Sequence, residues 1–270
     1  MRQIKSLVIG GDGFVGQPFC KFLEEQGEFV KSIDVKQGDD NDVRFKEIDF
    51  QSYDHVYVLA WDVGGSKYLY KRAAQFQQLD WNLALLSNLM PQLLKSGKPF
   101  LFVSSQLAEE TDSVYGVTKR LGEVWTHLTG GINVRLWNVY GSLENTSERS
   151  HVICDFIWQA LNNKKINMLT NGQELRQFIH INDVCTALKT AMEKNLVGSV
   201  YDITSFEWVS ILSVAEIIAN ELNVKLEIGT INGSTPITPI RGRIPGWWPN
   251  VELTSGLKDL IKLALHESSK

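Results

Sequence analysis

The 270-residue sequence predicts an α/β fold, a doubly wound parallel sheet with a smaller C-terminal lobe. Three observations carry that prediction. Short β-branched, apolar runs alternate with longer stretches of helical periodicity through the first half of the chain, the pattern of a parallel sheet with crossover helices. A glycine-rich turn, Gly10 to Gly16, sits between the first such run and the first helical stretch. After Gly141 the rhythm breaks into a polar segment followed by shorter elements, which marks a second unit.

The elements follow in order. Strands are expected at 6–9, 29–34, 55–59, 100–104 and 132–136, with a further short strand ending at Asp49-Phe50. Helices are expected at 14–26, 70–95 and 115–129, where apolar residues recur at three- and four-residue spacing; Gly27 and Gly130 stop two of them. A polar segment, 142–150, leads into a helix at 152–162, a strand at 177–181, a helix at 183–194 and a strand at 199–203. A helix at 213–222, a loop rich in Gly, Pro and Trp at 229–250 and a helix at 254–266 complete the chain. The first domain is thus 1–141, completed by about 177–205, and the second lobe comprises 142–176 and 206–270. No internal repeat is present.

Composition narrows the function. Hydrophobic residues at 43% and charged residues at 21% suit a folded globular chain. A net charge of -4 gives no overall basic field, so no nucleic-acid partner is expected. No apolar run approaches the ~18 residues of a membrane span. Cys20, Cys154 and Cys185 are odd in number and widely spaced, without a metal or redox pairing. With no signal-peptide pattern at the N-terminus, reduced thiols and a cytoplasmic location are expected, and no metal site.

The glycine turn has the spacing of a dinucleotide loop of the Rossmann type. Gly10 allows a tight turn, Gly13 lets backbone approach a pyrophosphate, and Gly16 lets helix and sheet pack closely, with Phe14 and Val15 opening the helix beneath the phosphates. Asp34 ends the second strand about twenty residues on, where a carboxylate accepts ribose hydroxyls and repels a 2′-phosphate. NAD is therefore expected over NADP. Asp49 and Phe50 are read either as an adenine-edge contact or as a capping Asp beside a core Phe.

Tyr115 and Lys119 stand four residues apart at a helix start, on one face. A phenol with pKa near ~10 is a poor base alone, and a neighbouring ammonium favours its anion, so the pair suits proton exchange with a substrate hydroxyl as hydride moves. Ser104 and Ser105 end the preceding strand, where a hydroxyl can hold the substrate oxygen beside Tyr115.

On these residues the chain resembles the NAD-dependent epimerase/dehydratase family of extended short-chain dehydrogenases. The matching segments are Gly10–Gly16, Asp34, Val58-Leu59-Ala60 with Trp61, Asn82, Ser104-Ser105, Tyr115 to Lys119, Arg135 to Gly141, and Arg176 to Val184, covering roughly 1–205. The resemblance implies cofactor contacts at the glycine loop, Asp34, Leu59, Ala60, Trp61, Asn82, Ser104, Tyr115 and Lys119. It implies a triad of Ser105, Tyr115 and Lys119, substrate contacts at Asn138 and Arg176, a nucleotide-linked sugar as substrate, and a homodimer through helices 70–95 and 115–129. His180 and Asp183 read as structural.

Departures bear on the reaction. Only Gln106 to Val114 separate Ser105 from Tyr115, far fewer residues than the family usually has. Gln106 and Leu107 stand where the family's 4,6-dehydratases carry an acid pair, which disfavours that dehydration. Val63-Gly64-Gly65 and Ser150-His151-Val152-Ile153 resemble segments of the branch with GDP-L-fucose synthase, and His151 is the candidate for proton transfer at a neighbouring carbon. Leu107 replaces the branch's second acid/base group, so His151 acts alone, with water or Cys154, or is simply a helix-start residue. Arg241, Arg243 and Trp247-Trp248 read as a diphosphate clamp or as a loop pinned by aromatic packing. The expected activity is an NAD-dependent epimerase-type oxidation at a ring carbon; the alternatives are a ketosugar reductase and a non-catalytic NAD-binding regulator.

Overall fold

The computed structural model describes residues 2–143, 149–235 and 238–268. Part of the expected polar segment, 144–148, and positions 236–237 of the expected loop lie outside them. Six parallel strands form the central sheet: β1 (Lys5–Ile9), β2 (Phe29–Ile33), β3 (His55–Val58), β4 (Phe100–Ser105), β5 (Ile132–Leu136) and, after β6 (Asn138–Tyr140), β7 (Lys165–Asn167), β8 (Leu175–Arg176) and β9 (Phe178–His180), the late strand β10 (Val200–Ile203). Their order is β10-β5-β4-β3-β1-β2.

Alternation along each strand sorts side chains into two cores. Val8, Tyr57, Leu101 and Val103 face α1 (Gly16–Glu25) and, after the intervening helices α2 (Ser66–Leu69), α3 (Arg72–Ser96), α4 (Val114–Leu128) and α5 (Val152–Asn163), the helix α6 (Ile181–Glu193). Leu7, Ile9, Val56, Val58, Phe100 and Phe102 face α3, whose Leu85, Leu86, Leu89, Met90 and Leu93 are buried against them. Each such side chain contributes roughly 1.5–3 kcal/mol on burial. The two faces hold the carboxyl ends of the strands rigidly along one edge, where the loops gather.

The second lobe has its own core. Ile153, Phe156 and Ile157 of α5 pack with Val214 and Ile218 of α7 (Ile211–Leu222) and Leu257, Leu260 and Ile261 of α8 (Leu253–Ser268). Short strands brace it: β7 beside β12 (Lys225–Glu227), and β8 antiparallel to β11 (Val209–Ser210).

Three expectations are corrected. No strand ends at Asp49-Phe50. The acids of that segment bond nearby amides instead, Asp34 to Lys36, Asp42 to Arg44 and Asp49 to Gln51, so each closes a turn and none extends a strand. The strand near 177–181 forms as β9 but pairs with β6, outside the central sheet, and only β10 completes that sheet. The last loop does not belong wholly to the second lobe, because Ile244 and Trp247 pack into the core of α1 and α6.

Candidate active site

One cleft of about 1050 Å³ runs along the carboxyl ends of the strands and continues to the second lobe. Its floor is the turn after β1. Gly10 has φ +89° and a Cβ there would lie 2.4 Å from the Ala60 amide nitrogen, so both conformation and space demand glycine. A Cβ on Gly16 would lie 2.1 Å from the Gly10 carbonyl oxygen, so Gly16 serves closure of the turn on itself. The start of α1 has no side-chain cap; Gln17 donates to the Gly13 carbonyl and Pro18 has no amide hydrogen, so the helix offers an anion its dipole and the Gly16 amide at its first position.

Asp34 follows β2 and is buried. It accepts the amides of Asp12 and Lys36, each at 3.0 Å, and each carboxylate oxygen keeps a lone pair for a further donor. Leu59, Ala60 and Trp61 form the facing wall. Asn82 fixes that wall, accepting the Asp62 amide at 2.8 Å and donating to the Asp62 carbonyl. The uncapped helix start, the glycine turn a Cβ would fill and the buried Asp34 fit a dinucleotide.

Ser105, Tyr115 and Lys119 all line the middle of the cleft. Ser113 caps α4, accepting the Gly116 amide at 2.9 Å, and so sets Tyr115 in the first turn. The short connection from Ser105 folds back on this helix start: a Cβ on Gly116 would lie 2.1 Å from the Glu110 carbonyl and 2.4 Å from that of Leu107. Lys119, one turn on, donates to the Val103 carbonyl at 2.7 Å and lies 4.1 Å from the centroid of the Trp61 ring. Burial pushes its pKa well below the ordinary range. Burial likewise pushes the Tyr115 phenol up to about 12, opposed by a hydrogen bond with Ser105.

Ser104 borders the cleft but its hydroxyl is committed elsewhere, donating to Glu123 at 2.7 Å. Asn138 and Arg176 reach the cleft on the side of the second lobe, where Asn138 donates to the Gln177 carbonyl and Arg176 to those of Leu175 and Ser234. His151 stands at the start of α5, lines the cleft and stacks on Phe14 with centroids 5.4 Å apart.

Other expected residues are not brought together here. Asp49 accepts from Gln51 and Ser52, and Phe50 is buried in the core under α3; Asp42, Val43 and Arg44 line the cleft in that region instead. Arg241 is held away from the cleft by Glu109, with Nε at 2.9 Å and Nη2 at 2.8 Å. Arg243 lies over Phe206 and Trp248, and Trp247 donates to Thr186, so this group is aromatic packing and not a clamp. Cys154 is buried and donates to the Ser142 carbonyl, outside the cleft.

Sequence reasoning missed Arg149. It bridges the lobes, donating to Asp62 at 2.8 Å and to the Tyr68 hydroxyl at 2.7 Å, with its guanidinium 3.8 Å from the Tyr68 ring centroid. It also missed Tyr70 and Glu110, which pair at 3.0 Å on the cleft wall. Nothing local in the sequence marks these residues, because each gains its partner from a distant segment.

A profile of the NAD dependent epimerase/dehydratase family matches residues 6–204. The chain belongs to this family. It is an enzyme family in its curated members: the chain is 28% identical over 181 residues to dTDP-4-dehydro-6-deoxyglucose reductase of Escherichia coli, a match covering 62% of this chain and 56% of that protein. It is 26% identical over 262 residues to dTDP-4-dehydro-6-deoxy-D-allose reductase of Streptomyces bikiniensis, covering 78% of this chain and 79% of that protein. Among solved structures, UDP-glucose 4-epimerase of Thermotoga maritima with UDP-glucose superposes with a TM-score of 0.77 at 19% identity, covering 99% of this chain and 100% of that one; that likeness shows the fold. Among the described residues, no helix is long and apolar enough to cross a membrane and no group of His, Cys, Asp and Glu is arranged to hold a metal ion.

Proposed function

We propose that this member of the family uses NAD to oxidise or reduce a ring carbon of a nucleotide-linked sugar, with an epimerase-type outcome. The observation that carries the reading is the convergence of Ser105, Tyr115 and Lys119 between the glycine turn and the wall bearing Asn138 and Arg176, in one cleft. Bound NAD supplies the hydride acceptor. Ser105 holds the reacting oxygen, Tyr115 moves its proton, and Lys119 stands one helical turn away, where its ammonium, when protonated, tunes the phenol. Asp34 binds the ribose hydroxyls, while Asn138 and Arg176 orient the substrate.

A second reading, a ketosugar reductase, has its own support. Burial raises the Tyr115 phenol, which favours the form that donates to a carbonyl oxygen, and the two curated relatives named above are reductases of such sugars. The exposed stripe of Val117, Leu121, Val124 and Leu128 on α4 supports a homodimer.

Incubation with UDP-, dTDP-, GDP- and CDP-hexoses and their 4-keto derivatives, read by product mass, stereochemistry and NADH absorbance, separates the readings. An epimerase returns an isomer without net change in NADH, and a reductase consumes NADH one for one with product. Silence toward every donor sinks the nucleotide-sugar reading. In deuterated water, His151→Asn is expected to suppress deuterium entry beside the ketone more than it suppresses cofactor reduction; equal entry removes His151 from that step.

A further inference from the structure

The cleft continues past Asp34 to the sheet edge at β2, where the segment replacing the expected edge strand forms its wall. Asp42, Val43 and Arg44 line it together with Trp81 and Leu85 of α3. Asn88 of the same helix pins this segment, donating to the Val43 and Lys46 carbonyls at 2.9 Å each. Arg44 Nε donates to both oxygens of Asp42, at 2.9 and 3.0 Å, and Nη2 reaches the same carboxylate. The fork fixes the guanidinium plane. Its central carbon lies 4.2 Å from the centroid of the Trp81 ring.

This pair has chemistry to offer. The guanidinium edge is taken by Asp42, and its central carbon lies close over the indole and, at 5.4 Å, more loosely over the Phe45 ring, so what it can give a ligand is a flat, delocalised, cationic surface. Such a surface stacks a flat heterocycle and asks for no particular hydrogen-bond pattern. Phosphates belong at the glycine turn, which also lines this cleft, and ribose hydroxyls at Asp34. The next group along a dinucleotide is the base.

We infer that Arg44, stacked on Trp81, is the platform for the adenine ring of the cofactor. The inference rests on the dinucleotide reading of the cleft and adds a base-stacking group, in place of the adenine-edge contact that was one of two readings of Asp49 and Phe50. It also gives the irregular segment between β2 and β3 a function: its turns deliver an arginine to the cleft where a regular edge strand was expected.

Calorimetric titration of the full chain with NAD and with 5′-AMP tests it, using wild type, Arg44→Gln, Arg44→Lys and Trp81→Leu. Trp81 is 39% exposed, so its replacement leaves the core intact, and Arg44→Lys keeps a charge beside Asp42 while losing the plane. All three variants are expected to bind both ligands about five- to tenfold more weakly, the scale of one cation–π or base-stacking contact. Ligand-free melting is expected to stay near that of wild type. Full affinity in Arg44→Lys overturns the platform, because charge and not the plane then matters. Weakened NAD binding with unchanged 5′-AMP binding overturns it as well, and so does a fall in ligand-free melting without loss of affinity. Wild type binding neither ligand brings down the dinucleotide reading itself.

Discussion

At the residue scale the site is governed by what burial does to two ionisable groups. Burial shifts Tyr115 and Lys119 toward their neutral forms, and for Lys119, ordinarily a cation, that shift costs stability near neutral pH. Tyr115→Phe is expected to keep the fold and cofactor affinity while lowering turnover by roughly a hundredfold or more, the loss of a positioned acid/base; near-normal turnover on the true substrate removes Tyr115 from the chemistry. Lys119→Met is expected to abolish turnover and yet raise stability near neutral pH by about 1–2 kcal/mol, a gain typical when a functional strain is removed. The pH dependence has a definite sign. The folded pKa of Lys119 lies below the unfolded value of ~10.4, so between the two the unfolded chain binds more protons and wild-type stability rises with pH. Urea denaturation across pH should show that rise in wild type and a flatter profile in Lys119→Met.

At the element scale the short link from β4 to α4 depends on a buried ion network. Arg135 on β5 is fully buried and donates to Glu123 of α4 at 2.6 and 2.8 Å and to Glu109 of the link. Glu109 also takes Arg241, which ties the link to the last loop. The arginine of the segment 135–141 is thus a strut joining β5, α4 and the link that precedes it. Arg135→Met removes the buried cation and leaves Glu123 only the Ser104 hydroxyl and the half-exposed Arg120, and is expected to cost up to about 3–5 kcal/mol. Chemical denaturation measures this, and a loss under about 1 kcal/mol shows that the network does not brace the site.

At the scale of the whole molecule, α3 and α4 lie side by side with apolar residues turned outward. Phe76 is 78% exposed and Leu128 73%, and Val117, Leu121, Val124 and Leu128 recur at the spacing of one helical stripe. Such a face suits docking, and a second copy is the partner that the family resemblance implies. Wild type is expected to sediment as a dimer, and Leu121→Glu with Val124→Glu as a folded monomer; a monomeric wild type at micromolar concentration removes the dimer.

The sequence by itself determined the parallel sheet, the glycine turn, Asp34 at the end of β2 and the placing of Ser105 at a strand end and of Tyr115 and Lys119 on one helix face, because each is written in local terms. Strand alternation, turn glycines and a four-residue helical spacing act between near neighbours. The positions of Ser105, Tyr115 and Lys119 on the cleft were legible for that reason, as was that of His151 at a helix start. Only the tertiary structure decided what Arg149, Arg44 and Arg241 do. A long cationic side chain reaches whichever carboxylate or ring the fold brings near, and Asp62, Trp81 and Glu109 come from segments 37 or more residues away. The same reason moved the expected adenine contact: Asp49 lost its strand to turns closed by its own segment's acids, while the packing of α3 carried Asp42, Val43 and Arg44 into the cleft.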